Sequence, residues 1–277
     1  MKKGINIWAY GDKPLEHCLR EAKKVGFEGI ELSYSLTEAI GPQATPAEMK
    51  AIARQATEIG IEICSVAAGI GWKFNMVSED AAERAQAKAH LLKALEVATD
   101  LGAQNVLVIP GFLGPFQAGA PVVADYEVAY ARAMETLRGV APRAEELGVN
   151  MAIENVWNKL LGSPLEMRAF IDGIGSPRAR AYFDVGNVMR TGYPEHWIRV
   201  LGKRIACVHF KDYKVNVGTL DGFVELLQGD VDYKAVMAAL RAIGYTGYAI
   251  AEVFPTKMAP EAVPLRAKQA MDIIFQM

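Results

Sequence analysis

The sequence predicts an α/β protein folded as a single (β/α)8 TIM barrel over residues 1–277. Three observations carry that expectation. Eight short β-branched runs alternate with eight helix-like stretches along the whole chain. The joints from helix to strand repeat one phrase. No glycine-rich dinucleotide fingerprint follows the first strand, which sets aside the doubly wound open sheet. Length alone would suggest roughly two domains, but barrels of ~250 residues count as one, and no linker rich in Pro, Gly or Ser divides this chain.

Taken in order, a first strand is read over 4–8 and a helix over 14–25, opened by Pro14 and stopped by Gly26. A strand over 29–33 leads to a helix over 45–59, with Thr45 as N-cap, Pro46 at the first helical position and Gly60 after the end. Strands follow over 62–67, 105–109, 149–154, 181–184, 205–209 and 248–252. The intervening helices are read over 78–101, 125–147, 163–174, 193–201, 232–243 and 260–275. The repeated phrase is Val25-Gly26-Phe27, Ile59-Gly60-Ile61, Leu101-Gly102-Ala103, Leu147-Gly148-Val149 and Ile243-Gly244-Tyr245. In each, glycine ends the helix in left-handed geometry and an apolar residue leads into the next strand. Two longer irregular stretches, 111–122 and 213–229, each follow a strand and would sit on the C-terminal face, where barrels keep their chemistry.

Composition excludes several classes of function. Thirty Lys plus Arg against 32 Asp plus Glu leave a formal charge of −2, without the basic footprint of a general nucleic-acid binder. No apolar run reaches the ~18–20 residues of a membrane helix. The opening Met-Lys-Lys-Gly-Ile-Asn-Ile-Trp has no signal-peptide core. Cys18, Cys64 and Cys207 are far apart and odd in number, against a disulfide scaffold or zinc knot. A cytoplasmic location is the default expectation.

The strand ends carry the chemistry. Strand five ends at Glu154, six at Asp184, seven at His209 and eight at Glu252. A lone carboxylate there is usually a cap or a solvated charge, and a lone histidine usually a satisfied core residue. Four such residues at four consecutive strand ends are much harder to obtain by accident. Burying three carboxylates together would be prohibitive without a cation. The oxygen-rich set suits Mn²⁺, Co²⁺ or Mg²⁺ better than a thiolate-bound zinc, with Zn²⁺ still open.

These segments, Ala152-Ile153-Glu154-Asn155, Phe183-Asp184-Val185-Gly186-Asn187, Val208-His209-Phe210-Lys211-Asp212 and Ala251-Glu252, resemble the sugar phosphate isomerase/epimerase group of xylose isomerase-like barrels. The resemblance covers nearly the whole chain. It is closest in look to L-xylulose 5-phosphate 3-epimerases and more distant from D-tagatose and D-psicose 3-epimerases. It implies a metal-dependent C3 epimerisation of a ketose or ketose phosphate. One divalent ion per chain, Mn²⁺ preferred, would be held by Glu154, Asp184, His209 and Glu252. Glu154 and Glu252 would face opposite sides of C3, one taking a proton and the other returning one, through a metal-stabilised enediolate. Two bases are needed because one carboxylate cannot reach both faces of a held carbon. A homodimer or homotetramer is expected by the same resemblance.

The chain departs from the free-ketohexose enzymes at three places. Asn187 stands where they carry His, Leu160 where they carry Glu, and Lys211 and Lys214 are the cations near the strand-seven His in place of an Arg. This leaves room for an acidic or phosphorylated substrate. Asn187, Lys211, Asn6 and Trp8 are the candidate substrate contacts, with Lys211 alternatively pairing with Asp212. Glu31 lies near the end of strand two, and Trp157, Asn158 and Lys159 could contribute to the pocket rim. His196 is read either as overhanging the site or as lying on a helix surface, while His17 and His90 are assigned no function.

Other enzymes open to this scaffold are an aldose–ketose isomerase and a polyol or inosose dehydratase. A DNA repair enzyme like the AP endonucleases would hold three zinc ions with many histidines and a basic groove, against four histidines here. A non-catalytic sugar-binding barrel would not explain two glutamates placed on one metal.

Overall fold

A computed structural model describes residues 1–36, 39–114 and 122–277. The barrel strands are β1 (Lys2–Asn6), β2 (Gly29–Ser33), β3 (Glu62–Ala68), β4 (Asn105–Val108), β5 (Asn150–Glu154), β6 (Ala179–Asp184), β7 (Ile205–Phe210) and β10 (Tyr248–Ala251). A small hairpin, β8 (Asp212–Tyr213) and β9 (Phe223–Val224), stands between β7 and the last barrel strand. The helices are α1 (Leu15–Val25), α2 (Pro46–Ile59), α3 (Ala81–Leu101), α4 (Tyr126–Leu147), α5 (Pro164–Ile174), α6 (Pro194–Leu201), α7 (Tyr233–Ala242) and α8 (Val263–Gln276). Eight parallel strands close in the order β1-β10-β7-β6-β5-β4-β3-β2. The seam pairs Lys2 with Tyr248 and Ile5 with Ala251.

The repeated joints act as the sequence predicts. At all five, the residue after glycine donates its amide back to the helix: Phe27 to Ala22, Ile61 to Ala56, Ala103 to Ala98, Val149 to Ala144 and Tyr245 to Leu240. This back-bonded stop satisfies carbonyls the helix would otherwise orphan and delivers an apolar side chain to the next layer. Gly26 adopts φ +100 and Gly60 φ +81, which a side chain would resist. On α2, Thr45 and Glu48 form the reciprocal capping box.

Period-two alternation divides the strands between two cores. Met151, Ile153, Phe183, Val208 and Ala249 face the helix layer. Ala152, Tyr182, Cys207, Ile250, Leu107 and Cys64 fill the barrel interior. Continuing that inner parity carries Glu154, Asp184, His209 and Glu252 to the C-terminal mouth. The opposite end is closed by polar pairs: Lys2 with Glu62 at 2.5 Å, the Tyr248 hydroxyl to Glu62 at 2.6 Å, and Asn150 to Asn105 at 2.8 Å.

Several boundaries differ from the sequence reading. The first strand begins at Lys2 and stops at Asn6, because the Asn6 side chain accepts the Trp8 amide and turns Ile7–Tyr10 into a 3-10 helix. The last barrel strand ends at Ala251, although the Glu252 amide still donates to Phe210 at 3.0 Å. Pro260–Ala262 is a 3-10 turn ahead of α8. The stretch 213–229, read as irregular, contains most of the hairpin. Of the other irregular stretch, 111–122, residues 115–121 lie outside the described residues.

Candidate metal and active site

Glu154 ends β5, Asp184 ends β6, His209 lies one residue before the end of β7, and Glu252 follows β10. These strands are consecutive in the barrel wall, so the four side chains form an arc with the glutamates at its two ends. One ligand atom from each lies within 4.8 Å of the others, and all four residues are buried. His209 presents Nδ1 to the cluster, 2.9 Å from Glu252 Oε2, 3.4 Å from Glu154 Oε1 and 4.0 Å from Asp184 Oδ2.

The donor set fits a hard divalent cation. Asp184 Oδ2 and Glu252 Oε2 are buried without a hydrogen-bond partner; the 2.9 Å approach of His209 to the latter is a charge contact, not an aligned bond. Such orphaned oxygens are costly unless something positive meets them. Glu154, Asp184, His209 and Glu252 would hold such a cation, whose charge would meet these oxygens.

The neighbours set the electrostatics. Burial pushes the Glu154 carboxyl up to about 7, against the pull of His209. It also pushes Asp184 up to about 6, against Lys211. Glu252 is buried too, but the Lys211 ammonium and His209 hold it well below the ordinary carboxylate range. Burial opposes the charge on His209, yet Glu31 and Glu252 hold its pKa well above the usual imidazole value.

Lys211, also buried, lies 2.8 Å from Glu252 Oε1 and 3.5 Å from Asp184 Oδ2. It does not pair with Asp212, whose carboxylate accepts the amides of Tyr213, Leu227 and Val231. The Lys211 ammonium also stands 4.8 Å over the Phe223 ring, which packs with Tyr213 and Trp157 in an aromatic wall. Trp8 lies parallel to Phe254 with centroids 6.1 Å apart. Asn6 is fully buried and gives its amide to Glu31.

Asn187 is engaged with its own surroundings. Its side chain donates to the Asn155 carbonyl at 3.0 Å, and its amide donates to Asp184 Oδ1 at 2.7 Å. Asn155 clasps the Asp184 backbone at both the carbonyl and the amide. Together they fix one Asp184 oxygen and leave the other facing the cluster. Asn158 is buried and ties its loop to Gly111, while Lys159 is exposed with φ +62. His196 sits on the exposed face of α6 beside Glu195, and His90 contacts the Tyr34 hydroxyl. Glu31 and Tyr182 prove closely joined to the site; their signal in the sequence is inner parity alone, two residues from a strand end.

A cavity of about 460 Å³ adjoins the site, lined by Asn155, Trp157, Asn187 and Arg190 among others. A larger one, about 670 Å³, lies at the opposite end around Lys2, Glu62 and Arg180. Lys2 there is paired with Glu62, and Arg180 donates to the carbonyls of Lys203 and Arg204. The four clustered residues stand at the C-terminal mouth, away from this second cavity.

The chain is 27% identical over 242 residues to the D-psicose 3-epimerase of Agrobacterium fabrum (strain C58 / ATCC 33970), covering 85% of this chain and 78% of the relative. It is 26% identical over 239 residues to the L-ribulose-5-phosphate 3-epimerase UlaE of Salmonella paratyphi C (strain RKS4594), covering 85% and 81%. The crystal structure of a D-psicose 3-epimerase in the presence of D-fructose superposes with a TM-score of 0.83 at 23% identity, covering 99% of this chain and 98% of that one. This last likeness is one of fold. A family model matches residues 19–276, and the chain belongs to the xylose isomerase-like TIM barrel family.

Proposed function

We propose that this protein is a divalent-cation-dependent sugar epimerase that inverts C3 of a ketose or ketose phosphate, with Glu154 and Glu252 transferring the protons. The observation that carries the reading is the convergence of Glu154, Asp184, His209 and Glu252 within 4.8 Å at the barrel mouth. The relatives support it, since one is named for a free ketose and another for a ketose phosphate.

A proton next to a carbonyl is too weakly acidic for a carboxylate acting alone. A divalent cation held by the four side chains, Mn²⁺ in our reading, would carry part of the negative charge that develops on the substrate oxygens. Glu252 and Glu154 stand at opposite ends of the arc, so that one is placed to accept the proton and the other to return one from the opposite side, in an order set by the direction of the reaction. In the reverse reaction the roles exchange. Lys211 contacts the substrate's oxygens from the side of Glu252, and Trp8 walls an apolar face of the sugar.

The test is hydrogen exchange in D₂O. The Mn²⁺-loaded protein should place deuterium at C3 of a free or phosphorylated ketose, with a new epimer, and EDTA should abolish both. Deuterium at C1 with formation of an aldose would replace this reading by an aldose–ketose isomerase. Bound metal with no exchange in any ketose would overturn it.

A further inference from the structure

Beneath the four clustered ligands lies a second buried group that the proton-transfer scheme does not use. Glu31, on β2, is fully buried. Its Oε2 lies 2.8 Å from His209 Nε2 and accepts the Asn6 amide. Its Oε1 accepts the Tyr182 hydroxyl at 2.5 Å, and the Tyr182 ring lies 4.4 Å from the His209 imidazole. Asn6, Tyr182 and His209 are likewise fully buried. The four residues come from β1, β2, β6 and β7, so the group spans the barrel interior from one wall to the other.

We infer that Glu31 is a positioning residue: held by Asn6 and Tyr182, it anchors the Nε2 side of His209 and so presents Nδ1 to the metal ion. This rests on the metal-site reading above and extends it to a residue outside the ligand set. The physical need is specific. An imidazole can bind a metal through either nitrogen, and the hydrogen bond made by one decides which nitrogen is offered. A carboxylate on the far nitrogen fixes the ring's orientation and strengthens it as a ligand. Glu31 can do this only if its own rotamer is fixed. Bonds from two different strands to its two oxygens supply that restraint. The same network gives Asn6 its role, turned toward Glu31 at the end of β1.

The test uses Co²⁺ as a visible-absorption probe on the full chain, with circular dichroism and Tm recorded for each variant. The wild type should bind Co²⁺. Glu31→Gln and Glu31→Leu should weaken it by about 10- to 100-fold, Leu more than Gln because Gln keeps an acceptor. Tyr182→Phe should weaken it less and in the same direction. In the metal-free wild type, the His209 Nε2 proton should give a distinct hydrogen-bonded signal in histidine-labelled NMR spectra, lost in Glu31→Leu. Folded Glu31→Gln and Tyr182→Phe proteins with wild-type affinity and spectrum would overturn the inference, even if Glu31→Leu failed to fold. Failure of the wild type itself to bind Co²⁺ would overturn the four-ligand site, and this inference with it.

Discussion

At the scale of single residues, the two site glutamates share His209 but differ in what else they meet. Glu252 lies against Lys211 as well as His209, whereas Glu154 meets His209 at 3.4 Å and, among the described residues, no second cation. Replacing either by Gln removes proton transfer but keeps the side chain's volume. Glu154→Gln and Glu252→Gln should each lower kcat by about 10²- to 10⁴-fold, with circular dichroism showing the fold retained. Turnover close to wild type in both, measured with a ketose that the parent enzyme epimerises, would end the two-base scheme. The four clustered residues were legible in the sequence because each falls at or beside the end of a strand. Glu31 and Tyr182 were harder to find because their roles depend on what lies across the barrel. No spacing along the chain brings residue 31 beside residue 209. Asn187 teaches the same lesson in reverse: its position marked a departure from the free-ketohexose 3-epimerases, while its hydrogen bonds bind it to Asn155 and Asp184.

At the scale of elements, the helix stops were legible because a glycine between a helix and an apolar residue has a local physical meaning. The β8–β9 hairpin was not, because two-residue strands are too short to display a period. Asp212 holds it together. Its oxygens accept amides from Tyr213 at 2.8 Å, Leu227 at 2.8 Å and Val231 at 3.2 Å. The approach is so close that a Cβ on Gly229 would lie 2.2 Å from Asp212 Oδ1. Asp212→Ala leaves three donors without this acceptor, at about 1–3 kcal/mol for each that stays buried. The variant should be cleaved within 214–229 at least about tenfold faster in limited proteolysis, since cleavage tracks the open population. The wall formed by Trp157, Tyr213 and Phe223 should loosen with it, raising KM more than it lowers kcat. An unchanged digestion pattern would show that the hairpin is held elsewhere. The misplaced start of β1 has a comparable cause. Lys2 lies outside the strand read over 4–8, but in the barrel it meets Glu62 at the closed end.

At the scale of the whole molecule, the buried cluster couples folding to protons and metal. Burial raises the carboxyls of Glu154 to about 7 and Asp184 to about 6. In the metal-free protein these groups hold protons that the unfolded chain has released, so stability falls as pH rises from the ordinary carboxyl range to about 7. His209 has the same sign at higher pH. Its folded pKa is raised, so its contribution is full below about 6.5 and is lost as pH passes the folded value. Glu252 acts oppositely, losing its contribution only in acid, as pH falls toward its depressed folded pKa. The Tm of EDTA-treated protein should therefore decline from pH 5 to pH 8. Saturating Mn²⁺ should flatten that decline by standing in for the protons. At one hundred times its dissociation constant the metal stabilises by about 2.7 kcal/mol, or about 5 °C in Tm for a chain of this size. Calorimetry with and without metal across that range decides the matter; a metal-free Tm that rises with pH would contradict the cluster's electrostatics.

The division between strand and loop at the barrel mouth has a consequence for how such an enzyme can change. Glu31, Glu154, Asp184 and His209 lie within the strands of the barrel wall and Glu252 directly after one, its amide still bonded to Phe210, whereas Trp8, Trp157 and Phe254 lie farther along the segments that follow the strands. Mutation of the second set leaves the first in place. A library randomised at Trp8, Trp157 and Phe254 should yield many variants that still load metal and differ in the sugar they accept. One randomised at Glu31 and Tyr182 should yield few that load metal at all. New specificities would then arise at the rim through single steps, without passing through inactive ancestors.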